Sequence, residues 1–273
     1  MAEIKKIIFI CVNFNNFLYT EKFCSSLAKQ FGKDYDFMID CIIVDNSIDH
    51  EDAGLFEKLG KDYTWIRYFR APENLGYFGG LNYGLKYAAL NTCSYVVICN
   101  NDLYFEPEFC WKLCSANYGE SVYAVCPNVI TKDGVHQNPH VMKRMGWWRR
   151  FQLDVYFSHY YIARLLLFIL RIIRPEKLSP PQPASACEIH MGIGACYILT
   201  LAFLRKFRYL HYSHFLYGEE AYFSDQIHSA NGILWFDPSL RVDHEESATL
   251  SKIPKRTTYE FSKAGYFDYR KML

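Results

Sequence analysis

The chain opens with a repeated alternation of short apolar runs and polar stops. Ile7-Ile8-Phe9-Ile10-Cys11-Val12 ends in Asn13-Phe14-Asn15-Asn16, and Cys41-Ile42-Ile43-Val44 ends in Asp45-Asn46-Ser47. Val96-Val97-Ile98-Cys99 ends in Asn100-Asn101-Asp102. Unbroken Val/Ile runs are what a strand buried on both faces requires, because alternate residues point to opposite faces. Between these runs the period changes. Phe23, Leu27, Ala28 and Phe31 lie at helical spacing within Leu18 to Phe31, a short helix is expected from Ala53 to Leu59, and a strand from Trp65 to Phe69. Asn74 to Gly84 reads as a glycine-rich turn entering a helix that ends near Leu90, ahead of the strand Tyr95 to Cys99. This alternation predicts an α/β fold with a doubly wound, mostly parallel sheet. One strand ending in Asn or Asp is an ordinary turn. Three at the same edge favour a ligand crevice at the carboxyl ends of the strands.

Past Pro107 the pattern becomes mixed. Val122 to Cys126 and Val129-Ile130 are expected as strands around Pro127-Asn128. Val155 to Ile173 is expected as one helix, with Arg164, Arg171 and Arg174 on one face and Leu165, Leu166, Phe168, Ile169, Ile172 and Ile173 over the remainder. The segment 141–177 carries eight Lys and Arg residues against only Asp154 and Glu176, with Trp147-Trp148 among them. A basic, aromatic-flanked amphipathic helix fits the inner-leaflet membrane surface. A core or homodimer-contact helix with salt-bridged arginines is the alternative. Pro175 and Ser179-Pro180-Pro181-Gln182-Pro183 end the helix and form a stiff linker. His190 to Leu199 then reads as small residues followed by a strand, and Ile233 to Phe236 as another. Lys252, Lys255, Arg256, Lys263, Arg270 and Lys271 lie among Tyr and Phe in the tail, which could extend a basic surface, close over a ligand or meet a second subunit.

Composition narrows the function classes. Hydrophobic residues make up 51% of the 273 residues and aromatics 18%, enough for a large core and incompatible with wholesale disorder. A net charge of +1 gives no global attraction to nucleic acid. The 10 cysteines include no C-x-x-C pair, and Cys11, Cys41 and Cys99 sit inside apolar runs, so they are expected as reduced core residues of a cytoplasmic protein. Ile7 to Val12 is too short for a signal peptide, and no apolar run approaches the length of a membrane span.

The glycines are spaced Gly76-x-x-Gly79-Gly80-x-x-x-Gly84. That fits neither G-x-G-x-x-G nor the P-loop, so a dinucleotide-binding domain or P-loop ATPase is a poor match. The stretch does offer close backbone approach and free N–H groups at a helix start, suited to an anionic ligand. Packing of helix on sheet is the bland explanation, above all for Gly84.

In order, Val12-Asn13-Phe14-Asn15, Val44-Asp45-Asn46-Ser47, Asn74 to Gly84 and Asn100-Asn101-Asp102 resemble the nucleotide-sugar half of the family 2 glycosyltransferases, and within them the rhamnosyltransferase-like bacterial enzymes that build surface polysaccharides. The resemblance implies a GT-A fold in one domain. Residues 1–106 would form the nucleotide-sugar-binding half and 107–250 the acceptor half, with the basic insertion at 141–183 and a tail at 251–273. It also implies a metal-dependent inverting transfer from a nucleoside-diphosphate sugar, UDP- or dTDP-linked with dTDP-rhamnose among the candidates, using Mn2+ or Mg2+. Val12, Asn13, Phe14 and Asp45 would hold base and ribose. Asn74, Gly79, Gly80 and Asn82 would lie near the donor, and Asn100, Asn101 and Asp102 would form the D-x-D-like element, with Asp102 on the metal. Asn100 stands where a strict D-x-D has its first Asp.

Later segments extend the likeness to about residue 247. Gly192, Gly194 and Ala195 resemble the family's small-residue strand on the acceptor side. Phe215-Leu216-Tyr217-Gly218-Glu219-Glu220 resembles its aromatic-x-Glu-Asp segment, with Glu220 where Asp is usual and Tyr217 toward the acceptor. Glu220 would be the general base, with Glu219 able to assist. His244 falls where the family has a His that approaches metal or diphosphate, and imidazole suits Mn2+ better than Mg2+. The implied acceptor is a lipid-linked glycan, as in O-antigen or capsule assembly, placing the protein on the inner face of the cytoplasmic membrane. Two other classes compete. A sugar nucleotidyltransferase would carry a Gly-rich, Lys- or Arg-bearing loop after the first strand, where Asn13-Phe14-Asn15-Asn16 has neither. A catalytically silent glycosyltransferase-like scaffold is kept open by Asn100 and Glu220.

Overall fold

The structure, a computed structural model, describes residues 4–31, 37–49, 51–173, 182–214, 217–245 and 255–273. The first half is built from β1 (Lys5–Asn13), α1 (Phe17–Ala28), β2 (Phe37–Asp45), α2 (Ala53–Asp62), β3 (Ile66–Arg70), α3 (Gly76–Tyr87), β4 (Tyr95–Asn100), β5 (Leu103–Phe105) and α4 (Phe109–Ser115). The second contains β6 (Val122–Thr131), α5 (Trp147–Ser158), α6 (Tyr160–Ile173), β7 (Cys187–Ile189), β8 (Cys196–Thr200), α7 (Leu201–Lys206), α8 (Glu219–His228), β9 (Ile233–His244) and α9 (Lys255–Tyr269).

The strands form one nine-stranded sheet in the order β3-β2-β1-β4-β8-β6-β9-β5, with β7 also paired to β9. β3, β2, β1 and β4 are parallel; β8 runs against β4 and β6, while β6 and β9 run with the first four. This is a mixed, mostly parallel α/β sheet. The apolar runs work as expected. Ile7, Phe9 and Cys11 face a layer holding Phe23 and Leu27 of α1, Phe56 of α2 and Phe109 of α4. Ile8, Ile10 and Val12 face the other layer, with Phe78 and Leu81 of α3, Phe203 of α7 and Phe223 of α8. All ten cysteines are free thiols and eight of them are buried. Burial pushes the thiols of Cys41, Cys99 and Cys196 well above their ordinary range.

Several boundaries differ from the expectation. The glycine-rich stretch is not a turn before a helix: α3 begins at Gly76, whose φ is +71°, and stops at Tyr87. Leu75 leads in with helical backbone, so the glycines form one face of the helix itself. β6 runs unbroken through Pro127-Asn128, absorbing a shift in register against β9 there. The helix expected over Val155 to Ile173 is two helices. α5 starts earlier, at Trp147, and His159 is extended (φ −151°, ψ 140°). His159 Nδ1 then accepts the Tyr161 N–H at 3.3 Å, taking over one free donor at the start of α6. Arg174, Lys177 and most of the Pro-rich linker lie outside the described residues.

A third, smaller cluster lies beside the sheet. Phe157 of α5, Ala163 of α6, Tyr259 and Tyr266 of α9, Met191 and Ala221 pack together. The tail is thus a helix docked on α5 and α6, fastened by Arg270 to Asp154 at 2.8 Å and by the Tyr266 hydroxyl to the same carboxylate at 2.6 Å. Among the described residues no helix is long and apolar enough to cross a membrane.

Candidate active site

Sheet register sets the polar strand ends side by side. Asn13 lies opposite Asp45, and Val12 opposite Asn100, so the ends of β1, β2 and β4 make one rim. Asp45, only 3% exposed, is held from every side. Its Oδ1 accepts from Asn13 Nδ2 at 2.9 Å and from the Ser47 N–H at 3.1 Å; its Oδ2 accepts from the Tyr68 hydroxyl at 3.0 Å and faces Arg70 at 3.5 Å. Burial, and then the Asp45 charge, push the Tyr68 hydroxyl up to about 12. Thr20, in α1, joins the rim to Asn101: its hydroxyl donates to Asn13 Oδ1 at 3.0 Å and accepts from Asn101 Nδ2 at 2.9 Å. Asn13 and Asn101, singled out from sequence, are therefore part of one network that also orients Asp45. Ser47 was quoted in a motif but given no role, while Thr20, Tyr68 and Arg70 were not singled out and no motif marks them.

Val12 is nearly buried and Phe14 half-buried at the β1 end. Asn74 Oδ1 accepts the Gly76 N–H at 3.1 Å and so shapes the entry to α3. A Cβ on Gly80 would come within 2.9 Å of Val12 and of Asn46 Nδ2, and one on Gly79 within 2.9 Å of Leu75. Gly80 thus lets α3 approach the rim closely, while Gly79 leaves room for the residue that leads into the helix. Asn82 turns the other way. Its amide is committed at both ends to Leu210, donating to the carbonyl at 2.9 Å and accepting the N–H at 2.7 Å.

Asp102 follows the end of β4 and is 1% exposed. Pairing of β5 with β9 places Leu103 opposite His244, which brings the imidazole Nε2 to 3.4 Å from Asp102 Oδ1. The other ring nitrogen, Nδ1, lies 2.7 Å from Gln137 Oε1, an acceptor. That contact makes Nδ1 a donor and leaves Nε2 facing the carboxylate. Asp102 Oδ2 is buried with no hydrogen-bond partner among the described residues. A buried carboxylate oxygen left without a partner is unfavourable unless something positive sits beside it. The donor set, one carboxylate and one oriented imidazole, fits a divalent cation whose other positions come from phosphate oxygens and water. Gln137, which sequence reasoning missed, orients the ring. Among the described residues no group of three or more His, Cys, Asp or Glu side chains forms a complete cage.

The two acids open α8 on the other side of the rim. The Glu220 Oε1 accepts the Gly194 N–H at 3.1 Å. The Gly194 carbonyl accepts the Tyr77 hydroxyl at 2.9 Å, and Ala195, next in line, accepts the Asn100 N–H at 2.9 Å. Gly194-Ala195 thus ties Glu220 directly to the strand that carries Asn100 and Asp102. A Cβ on Gly194 would lie 2.8 Å from Glu220 Oε1, so the carboxylate rests where only glycine leaves room. Gly192 sits one step away, its carbonyl accepting the Tyr197 hydroxyl at 2.7 Å. Glu219 is 8% exposed, and burial, reinforced by the neighbouring Glu220 charge, pushes its carboxyl up to about 8. Tyr217 (φ +69°) and Gly218 (φ +99°) are both left-handed and turn the chain into α8. The Tyr269 ring of α9 covers Gly218, and its hydroxyl is pushed up to about 12 by burial and by the Glu220 and Glu219 charges. Phe215, Leu216 and Ser247 lie outside the described residues.

Comparison with solved structures identifies the fold. GalNAc-T7, crystallised with UDP, GalNAc and Mn2+, superposes with a TM-score of 0.63 at 13% identity, covering 91% of this chain and 45% of that one. Residues 1–349 of S. aureus TarS, in complex with UDP-GlcNAc, superpose with a TM-score of 0.58 at 15% identity, covering 91% of this chain and 61% of that one. At such identities the likeness establishes the fold, the mixed α/β GT-A fold of glycosyltransferases, and the chain spans less than two thirds of each of these structures. No curated protein sequence matches. The family model described as glycosyl transferase family 2 matches residues 8–178, from β1 past the Asn100-Asn101-Asp102 strand end and through α6. With that match over more than half its length, the chain belongs to glycosyl transferase family 2.

Proposed function

We propose that this glycosyltransferase moves a sugar, with inversion, from a UDP- or dTDP-linked donor to a hydroxyl of a glycan acceptor. The observation that carries the reading is the position of Glu220, whose Oε1 is fixed by the Gly194 N–H at 3.1 Å on the loop that also ties down Asn100. A carboxylate so held can take the proton of an acceptor hydroxyl as that oxygen forms its bond to the anomeric carbon, while the bond from that carbon to the donor diphosphate breaks on the opposite face. Asp45, with Asn13, Val12 and Phe14, receives the nucleoside. The N–H groups around Asn74 and the start of α3 lie toward the donor. Asp102 and His244 hold the divalent cation, which when bound offsets charge on the diphosphate. Glu219, with its raised affinity for a proton, serves as a neutral neighbour that keeps a second negative charge away from Glu220. The acceptor is read as lipid-linked, as in the assembly of bacterial surface polysaccharide, on the strength of the apolar surface of α6.

The test is a thermal-shift series with UDP, dTDP, GDP and CMP, each with and without Mn2+. A metal-dependent rise with one nucleoside diphosphate is the expected result, followed by transfer from the matching sugar donor that Glu220→Gln abolishes. No shift with any of the four would leave a silent scaffold as the better reading.

A further inference from the structure

Among the described residues, twelve of the 25 exposed large apolar side chains lie between Trp147 and Ile173. α6 is the extreme case: Phe168 is 62% exposed, Ile172 66% and Ile173 67%, and only Ala163 among its described side chains is buried. A helix that rests in water buries its apolar stripe, and a surface this apolar marks an interaction face. Charge says what kind. α5 and α6 contribute Arg149, Arg150 and Arg164 and a single acid, Asp154, which is paired with Arg270 and accepts a hydrogen bond from the Tyr266 hydroxyl. Between α5 and α9 lies a cleft of about 500 Å³ lined by Trp147, Phe151 and Phe267, by Arg150, Arg270 and Lys271, and by the carboxylate of Asp154, so three cations face one acid. A second copy docking through a twofold interface would bring the same cations onto the same patch. A bilayer containing anionic lipid supplies instead both the apolar phase and the opposite charge. At 14 residues α6 is too short to span the hydrocarbon layer, which fits a helix lying in the interface.

We propose that α5, α6 and the end of α9 form a docking surface for an anionic bilayer, with the apolar side chains of α6 among the acyl chains and a lipid headgroup phosphate in the α5–α9 cleft. The surface is independent of the transfer chemistry and would serve a silent subunit equally.

The experiment is co-sedimentation of the full chain with vesicles of phosphatidylcholine, with and without phosphatidylglycerol, at low and high salt. Binding to the anionic vesicles, weakened by salt, is expected. Phe168→Glu with Ile172→Glu, both at exposed positions, should lower partitioning at least tenfold while the circular dichroism spectrum is unchanged. Arg150→Glu with Lys271→Glu should remove the preference for phosphatidylglycerol. No partitioning of the unaltered chain, or equal partitioning of the α6 variant, overturns the surface. So does a lipid-free dimer, seen by analytical ultracentrifugation, that the α6 variant converts to monomer. Because the readout is sedimentation, it can fail while nucleotide binding succeeds, and the reverse.

Discussion

Glu219 and Glu220 are adjacent in the chain, yet the start of α8 buries the first and leaves the second half-buried against Gly194. For Glu220→Gln we expect transfer to fall about 10²- to 10⁴-fold, while the nucleoside-diphosphate thermal shift is kept. Steady-state kinetics beside the binding assay checks this. Glu219 predicts a pH effect on stability. Its carboxyl binds a proton more tightly folded, to about 8, than unfolded, so the unfolded chain releases that proton first as pH rises. Stability should therefore fall between the ordinary carboxylate range and about 8 and level off above it. Glu219→Gln should remove that slope and stabilise the protein at pH 8 by on the order of 1–2 kcal/mol, with little gain at pH 4, as denaturant melts at the two pH values would show. At Asp102, replacement by Asn keeps the volume but removes the charge facing His244. The Mn2+-dependent part of the nucleotide shift should disappear while the metal-free melting temperature stays level or rises, since a buried, unsatisfied charge is costly.

Among the elements, α3 shows how one glycine-rich stretch meets a packing demand. Gly80 and Gly84 lie inside the helix against side chains of β1 and of the β2 end, the packing that the sequence offered as the alternative for Gly84. A Cβ on Gly84 would sit 2.5 Å from Ile10 Cγ2 and 3.1 Å from Val44 Cγ2, both fully buried. Gly84→Ala should thus destabilise by about 1–3 kcal/mol despite the better helix propensity of Ala, measurable by chemical denaturation. Helical period alone joined Val155 to Ile173 into one rod. The break at His159 comes from tertiary contact: Phe157 is drawn into the third cluster, its ring 4.5 Å from that of Tyr266, and the chain turns before α6 begins.

For the whole molecule, the tail is the part that sequence left most open, with three alternatives for it. It docks on α5 and α6 and reaches the entrance to α8, where Tyr269 covers Gly218. A chain ending before Lys255 should keep its sheet, since β1 to β9 are complete without α9, yet lose the partners of Asp154 and Phe157. Limited proteolysis should then cut within 147–173 faster than in the full chain, while far-ultraviolet circular dichroism retains the strand signal.

Much of the first half was legible because its information is local. Buried parallel strands must be continuous apolar runs, and each run here stops at the residue that meets the rim, so Asn13, Asp45 and Asn100-Asn101-Asp102 could be read as one edge before any geometry was known. Resemblance carried the family from those same residues. Pairings far apart in sequence could not be read this way. That Gln137 orients His244, that Thr20 links Asn13 to Asn101, that Asn82 braces Leu210, and that Gly194 holds Glu220 follow from strand register and helix placement, which join residues up to 128 positions apart. Apolar period and polar stops, being local, determined the elements and the rim. Which acid is buried and which is held by the Gly194 N–H, and which oxygen of Asp102 has no partner among the described residues, were decided by the packing of elements against one another, because burial and hydrogen-bond satisfaction belong to the assembled fold and to no single stretch of chain.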